Sequence, residues 1–140
     1  MKSIRSMFTL LALTAAFSAH AQTFTVAIDQ IVTNDSIIGC VNGLEPEDVA
    51  NYKIIVYVHT DQWYIHPYAG QGEGKTWAAV RNDGTWRIAT VRREFQADRV
   101  AALLVPRDFP EPNMAHNLTS IPYSAIVDKE IVGTADYGKL

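Results

Sequence analysis

Residues 51–68, NYKIIVYVHTDQWYIHPY, constrain this chain more than any other stretch. Ile54, Ile55, Val56, Tyr57 and Val58 are β-branched or aromatic, the types that fit a pleated, packed surface. Side chains alternate across a strand, so Tyr52, Ile54, Val56 and Val58 share one face, and Lys53, Ile55, Tyr57 and His59 share the other. The first set is apolar apart from a phenol and predicts a core-facing surface. The mixed second set predicts a half-covered outer face. A helix is the poorer reading, because the run is short and dominated by β-branched residues. Thr60-Asp61-Gln62 reads as a turn, Trp63, Tyr64 and Ile65 as a second strand, and Pro67 as its end or the mark of an edge.

The N-terminus is a separate object. Lys2 and Arg5 precede an apolar segment over 7–17, and Ala19-His20-Ala21 has the small-x-small pattern of a cleavage site before Gln22. This is the pattern of a secretory signal peptide over 1–21. A membrane anchor is the alternative, but a span needs about 20 apolar residues. A bacterial product of this kind is expected in the periplasm or outside the cell. Cleavage would leave 119 of the 140 residues (22–140), the size of one domain with a sizeable core. Lys2 and Arg5 leave with the leader, so 10 basic residues remain against 15 acidic ones, a net charge of −5 with histidine neutral. Nucleic-acid binding needs a basic patch, and none is expected here. Cys40 is the single cysteine, which excludes an intrachain disulfide. In an exported chain it is expected to be buried as a small apolar residue, or to pair with another chain.

The rest reads as short strands between turns. Residues 24–32 alternate, with Phe24, Val26 and Ile28 on one face. A turn cluster over 33–36 precedes a strand over 37–41, and Asn42-Gly43 ends it. Residues 44–48 form a loop with room for one helical turn near Pro46. The three alternate glycines over 70–74 lack the spacing and the following helix of a phosphate-binding loop, and predict a flexible connection. A short strand over 76–80 contains Trp77. Asn82-Asp83-Gly84 is a clear turn signal before a strand over 85–91. Residues 99–105, RVAALLV, are nearly continuous apolar. They predict a strand covered on both faces, and the following Pro106 disfavours the helical alternative. Pro110, Pro112 and Pro122 predict an extended connection over 108–122, before a final strand over 123–132. Seven or eight strands without a long helix predict an all-β antiparallel sandwich, its two sheets about 10 Å apart.

Several of these segments also carry a likeness. Gly39-Cys40-Val41, then 52–58, Trp63-Tyr64 with Pro67-Tyr68, Asp83-Gly84-Thr85-Trp86 and 102–106 follow one another in an order that resembles the immunoglobulin-like or fibronectin-type-III-like β-sandwich modules of secreted bacterial proteins. The likeness covers roughly 25–132. It implies an immunoglobulin-like sandwich and no catalytic residues. Such modules often accompany carbohydrate-active or surface-attached domains.

Trp63, Tyr64, His66, Tyr68 and Trp77 form the most suggestive constellation. Apolar C–H faces of sugars stack on aromatic rings, while polar groups hold the hydroxyls. The competing reading places these rings in the core or over a sheet edge. By alternation Trp63 and Ile65 face one way and Tyr64 and His66 the other, so the Trp63–Tyr64 pair cannot both be core. For Trp77 and Trp86 the core reading is the stronger. His59 and His66 flank a hairpin, but zinc needs three or four ligands. Glu73, Asn82 and Asp83 could offer calcium oxygens, although turn formation explains the last two more simply. Ser36, Ser120 and Ser124 sit in no nucleophile elbow, and no two carboxylates pair as a glycosidase needs. The Asn34 and Asn117 acceptor motifs carry little meaning in a bacterial chain.

The expectation is thus a non-catalytic, cofactor-free exported module. It would bind a polysaccharide or cell-surface glycan through Trp63, Tyr64, His66, Tyr68 and Trp77. The alternative is a structural or assembly module that binds a surface protein, and a small hydrolase comes a distant third.

Overall fold

The predicted central strand lies at the middle of the larger of two antiparallel sheets. A computed structural model describes residues 23–94, 96–115 and 128–133. The proposed leader, and residues 123–127 of the predicted last strand, fall outside them. Nine strands are described: β1 (Thr25–Val32), β2 (Ser36–Asn42), β3 (Tyr52–His59), β4 (Trp63–Ile65), β5 (Trp77–Ala79), β6 (Thr85–Ala89), β7 (Arg99–Pro106), β8 (Met114–Ala115) and β9 (Asp128–Gly133). One sheet has the order β1-β2-β6. The other has the order β8-β4-β3-β7-β9, with β5 also paired to β3. A 3-10 turn over Val49–Asn51 leads into β3, just beyond the loop where one helical turn was expected.

The sheets pack face to face as a β-sandwich, and the alternation in the sequence supplies the shared core. Val26, Ile37, Val41, Trp86 and Ile88 come from the smaller sheet. Ile54, Val56, Val58, Val100, Ala102 and Leu104 meet them from the larger. Each fully buried aliphatic side chain contributes about 1.5–3 kcal/mol of transfer free energy, so this layer is the principal source of stability. Gly39 on β2 is the tightest point in it. A Cβ there would lie 2.0 Å from the Ala27 carbonyl oxygen and 2.3 Å from the Trp86 ring. The absent side chain leaves room for the indole beside the β2 backbone.

The outer face of β3 departs from the expectation. Lys53, Ile55 and Tyr57 are buried, with only His59 half-buried. The cause is the connection after β7, which folds back across the sheet as a strap. Lys53 Nζ donates to the Phe109 carbonyl and pairs with Glu111, both at 2.7 Å. The Tyr57 hydroxyl donates to the Pro112 carbonyl at 2.5 Å. Burial pushes the Tyr57 phenol well above its ordinary pKa, with the Glu111 charge adding to the effect. Beneath the strap Ile55, Tyr57, Trp63, Ile65, Ala101, Leu103 and Val105 form a second apolar cluster, against which Trp77 and Phe109 pack. This covering is why 99–105 could be apolar on both faces. The strap ends in β8, a two-residue strand that the sequence does not signal.

The opposite margin is closed by side chains. The Val26 backbone N–H donates to Asp128 Oδ2 at 2.7 Å, and the Ile28 N–H donates to Glu130 Oε2. These β9 carboxylates occupy donors that the edge strand β1 would otherwise present to another chain. Cys40 is half-buried on the outer side of β2, not in the core. Alternation puts Ile37, Gly39 and Val41 inward and Cys40 outward. Partial burial, reinforced by Asp29, raises its thiol pKa and so disfavours the reactive thiolate.

Candidate functional site

The two sheets differ in width, and the difference makes a groove. The larger sheet extends past β3 to β4, while the smaller one stops at β6. The inner face of β4 is therefore left to the loops at 66–69 and 91–97. Between them lies a cavity of about 840 Å³, lined by Val58, Thr60, Asp61, Tyr64, Ile65, His66, Pro67, Tyr68, Ala69, Val91, Arg93, Ala97 and Asn113.

Register explains which rings reach it. Val58 pairs with Tyr64, and His59 pairs with Trp63. Val58 belongs to the inner core, so Tyr64 shares the inner face and lines the groove. Trp63 goes to the outer face, where it is 4% exposed. There the His59 ring meets its edge with centroids 5.0 Å apart, and the Arg99 guanidinium lies 5.2 Å from its centre. Trp77 pairs with Ile55 and also lies on the outer side, half-buried, with Arg107 stacked at 4.2 Å. The five aromatic and imidazole side chains singled out from the sequence therefore divide. Tyr64, His66 and Tyr68 come together in the groove. Trp63 and Trp77 support the opposite face.

The loop from Pro67 to β5 holds Tyr68 in place. Gly70, Gly72 and Gly74 all have positive φ, a conformation that disfavours side chains. The loop folds back through Thr76 N to Gly72 O at 2.8 Å, Ala89 N to Gly74 O at 3.0 Å, and Gln71 N to Thr76 Oγ1 at 2.7 Å. It is a pinned turn rather than the flexible connection its glycines predict. The Arg93 guanidinium hydrogen-bonds the Pro67 carbonyl and lies 5.6 Å from the centre of the Tyr68 ring. In the sequence Arg93 follows Arg92 in a polar, charged connection, a pattern that reads as a solvated surface. Only the fold shows that the 91–97 connection carries it over Tyr68. On the other rim, hydrogen bonding from Thr60, at 2.9 Å, and then from Tyr64 holds the Asp61 carboxyl below the ordinary carboxylate range. Asn113 reaches the groove from the strap, its carbonyl accepting the Ile65 N–H at 2.9 Å.

His66 forms the floor. It is 2% exposed, its Nε2 is 2.6 Å from Thr90 Oγ1, and its peptide bond to Pro67 is cis. Burial, aided by the nearby Arg93 charge, lowers its pKa from the ordinary 6.5 to about 4. The imidazole is therefore neutral at physiological pH. It faces the opposite side of the sheet from His59, which is 2.6 Å from Asp98 Oδ1. The two histidines do not converge, and among the described residues no three His, Cys, Asp or Glu side chains group as metal ligands. Asp83 is engaged by its own turn, accepting from the Thr85 N–H at 3.0 Å and hydroxyl at 2.7 Å.

The depressed His66 value ties stability to pH. Between about pH 4 and 6.5 the unfolded chain takes up a proton that the folded chain resists. The contribution of neutral His66 is thus complete above pH 6.5 and is lost as pH falls through 4. Its full size is about 3 kcal/mol. Urea denaturation at pH 7 and pH 4.5 should show a steeper loss for the wild type than for His66→Gln. Equal losses would contradict the assignment.

Comparison with protein-family models, curated proteins and solved structures finds no match to this chain.

Proposed function

We propose that this protein is a non-catalytic, exported binding module of immunoglobulin-like type that takes a polysaccharide or cell-surface glycan in the groove beside β4. The sheet orders β1-β2-β6 and β4-β3-β7-β9 support the immunoglobulin-like reading, since they place alternate hairpins of a Greek key in opposite sheets. One observation carries the functional reading: Tyr64 and Tyr68 line an apolar groove rimmed by Thr60, Asp61, Arg93 and Asn113. Phenol rings offer flat surfaces for the C–H faces of a sugar. The rim offers acceptors and donors for its hydroxyls. A concave, mostly apolar site with a few convergent polar groups is the general form of a ligand pocket. The neutral, buried His66 supplies shape at the floor without charge.

The ligand-contacting set proposed is Tyr64, Tyr68 and Arg93, with His66 beneath them. Trp63 and Trp77, which lie on the opposite face of the sheet, are left out of this set. Isothermal titration against a panel of soluble polysaccharides tests this. Tyr64→Ala and Tyr68→Ala should each weaken binding about tenfold, equivalent to about 1.4 kcal/mol. Trp77→Ala, on the opposite face, should leave it unchanged. Retained binding in both tyrosine variants would move the ligand elsewhere. A folded protein that binds no member of the panel would favour the alternative, an assembly module whose partner is a surface protein.

A further inference from the structure

We infer that the glycan is acidic, and that Arg93 reads the carboxylate of a uronic acid unit. This deepens the proposed groove reading and rests on it.

Four observations converge. Arg93 is the sole Lys or Arg among the groove-lining residues, and it makes no ion pair among the described residues. It is also held in place, by the Pro67 carbonyl on one side and the Tyr68 ring on the other. A guanidinium has five N–H donors in a rigid fork, so one carbonyl leaves most of them unused. The fork matches a planar carboxylate in bidentate fashion, and fixing it beforehand reduces the entropy lost on binding.

The second observation is that Asp61, the carboxylate among the described groove-lining residues, forms no ion pair with Arg93. Asp61 accepts from Thr60 and interacts with Tyr64, on the rim formed by the β3–β4 turn. Arg93 sits on the other connection, between β6 and β7. Third, His66 is neutral at physiological pH, so the floor offers no competing cation. Fourth, the walls are apolar, with Val58, Ile65, Pro67, Ala69 and Val91 around the polar groups. Arg93 itself is exposed at the rim, so a ligand that covers it between these walls would displace water and strengthen the charge pair. A neutral sugar would leave Arg93 with hydroxyl contacts only. A uronate would give it a full counter-charge, while the ring stacks on the tyrosines.

Comparison of polygalacturonate oligomers with their methyl esters tests this directly, because esterification removes the charge and keeps the ring. Titration into the wild-type protein should show the free acid binding at least tenfold more tightly. In Arg93→Gln that preference should largely vanish, the free acid losing far more affinity than the ester, and in Arg93→Lys it should shrink, because the charge stays while the bidentate fork is lost. Circular dichroism checks that each variant is folded, and the acid–ester pair on wild-type protein needs no variant. Equal binding of acid and ester, or an undiminished preference in Arg93→Gln, would overturn the uronate inference and leave glycan binding intact. Binding of neutral glucans alone would do the same. Failure of every saccharide, acidic or neutral, would remove the underlying groove reading as well.

Discussion

Gly39→Ala should unfold or severely destabilise the protein. The added methyl would lie 2.0 Å from the Ala27 carbonyl oxygen and 2.3 Å from the Trp86 ring. Ordinary overpacking costs about 1–3 kcal/mol, because flexible neighbours give way. Here one obstacle is backbone in the adjacent strand and the other is a fully buried indole, so the loss should reach about 3 kcal/mol or more. A domain of this size holds only about 5–15 kcal/mol in total. Combining Gly39→Ala with Trp86→Leu should recover only part of the loss, since the Ala27 carbonyl stays where it is. Urea denaturation monitored by circular dichroism gives the numbers. A Gly39→Ala midpoint close to wild type would show that β1 and β2 can separate more easily than their ladder suggests.

The second large effect should come from the strap. Lys53 is buried and its partner Glu111 is half-buried, with 6% and 19% of their side chains exposed. Glu111→Ala would leave the ammonium in an apolar layer with the Phe109 carbonyl as its remaining close acceptor. Removing one partner of a buried pair typically costs about 3–5 kcal/mol, mostly through the stranded charge. Lys53→Met combined with Glu111→Leu should restore most of the stability, because an apolar pair of similar volume strands no charge. The double-mutant cycle separates the two explanations. If the single and double variants were equally unstable, packing of the strap rather than charge pairing would dominate. The same experiment bears on the groove. Asn113 is delivered to the rim by this strap, so a loosened strap should weaken the glycan binding proposed for the groove even when the protein remains folded.

Local pattern was a good guide wherever the physics was local. Alternation over 52–58 was enough to place Ile54, Val56 and Val58 in the core. Asn82-Asp83-Gly84 marked a turn because Asp83 satisfies nearby backbone and side-chain donors. Parity also required that Trp63 and Tyr64 part company. It could not say which of them would meet the core of the strap and which the groove. Both faces of the larger sheet are covered, by different parts of the chain, so parity defines two sides without ranking them.

The groove itself was not legible. It exists because β6 ends the smaller sheet before the larger one ends, and strand order across a sheet leaves no mark in sequence. Tyr64 and Tyr68 were found as aromatics near a glycine loop. Arg93 was not, because a charge in a polar connection looks the same whether it faces water or a neighbouring ring. The outer face of β3 was misjudged for a related reason. Lys53 and Tyr57 carry polar ends that suit solvent, and only the strap, some fifty residues along the chain, supplies the partners that let them be buried.

The sequence by itself determined that this chain forms short antiparallel strands, where most of them lie and which residues share a face. These follow from side-chain sterics and the two-residue period of an extended backbone. Tertiary structure alone decided which faces are doubly covered, where the sheets fail to match and which side chains therefore line a cavity. Those outcomes depend on contacts between residues far apart in the chain, such as Lys53 with Glu111 and Arg93 with Tyr68. No local preference encodes them.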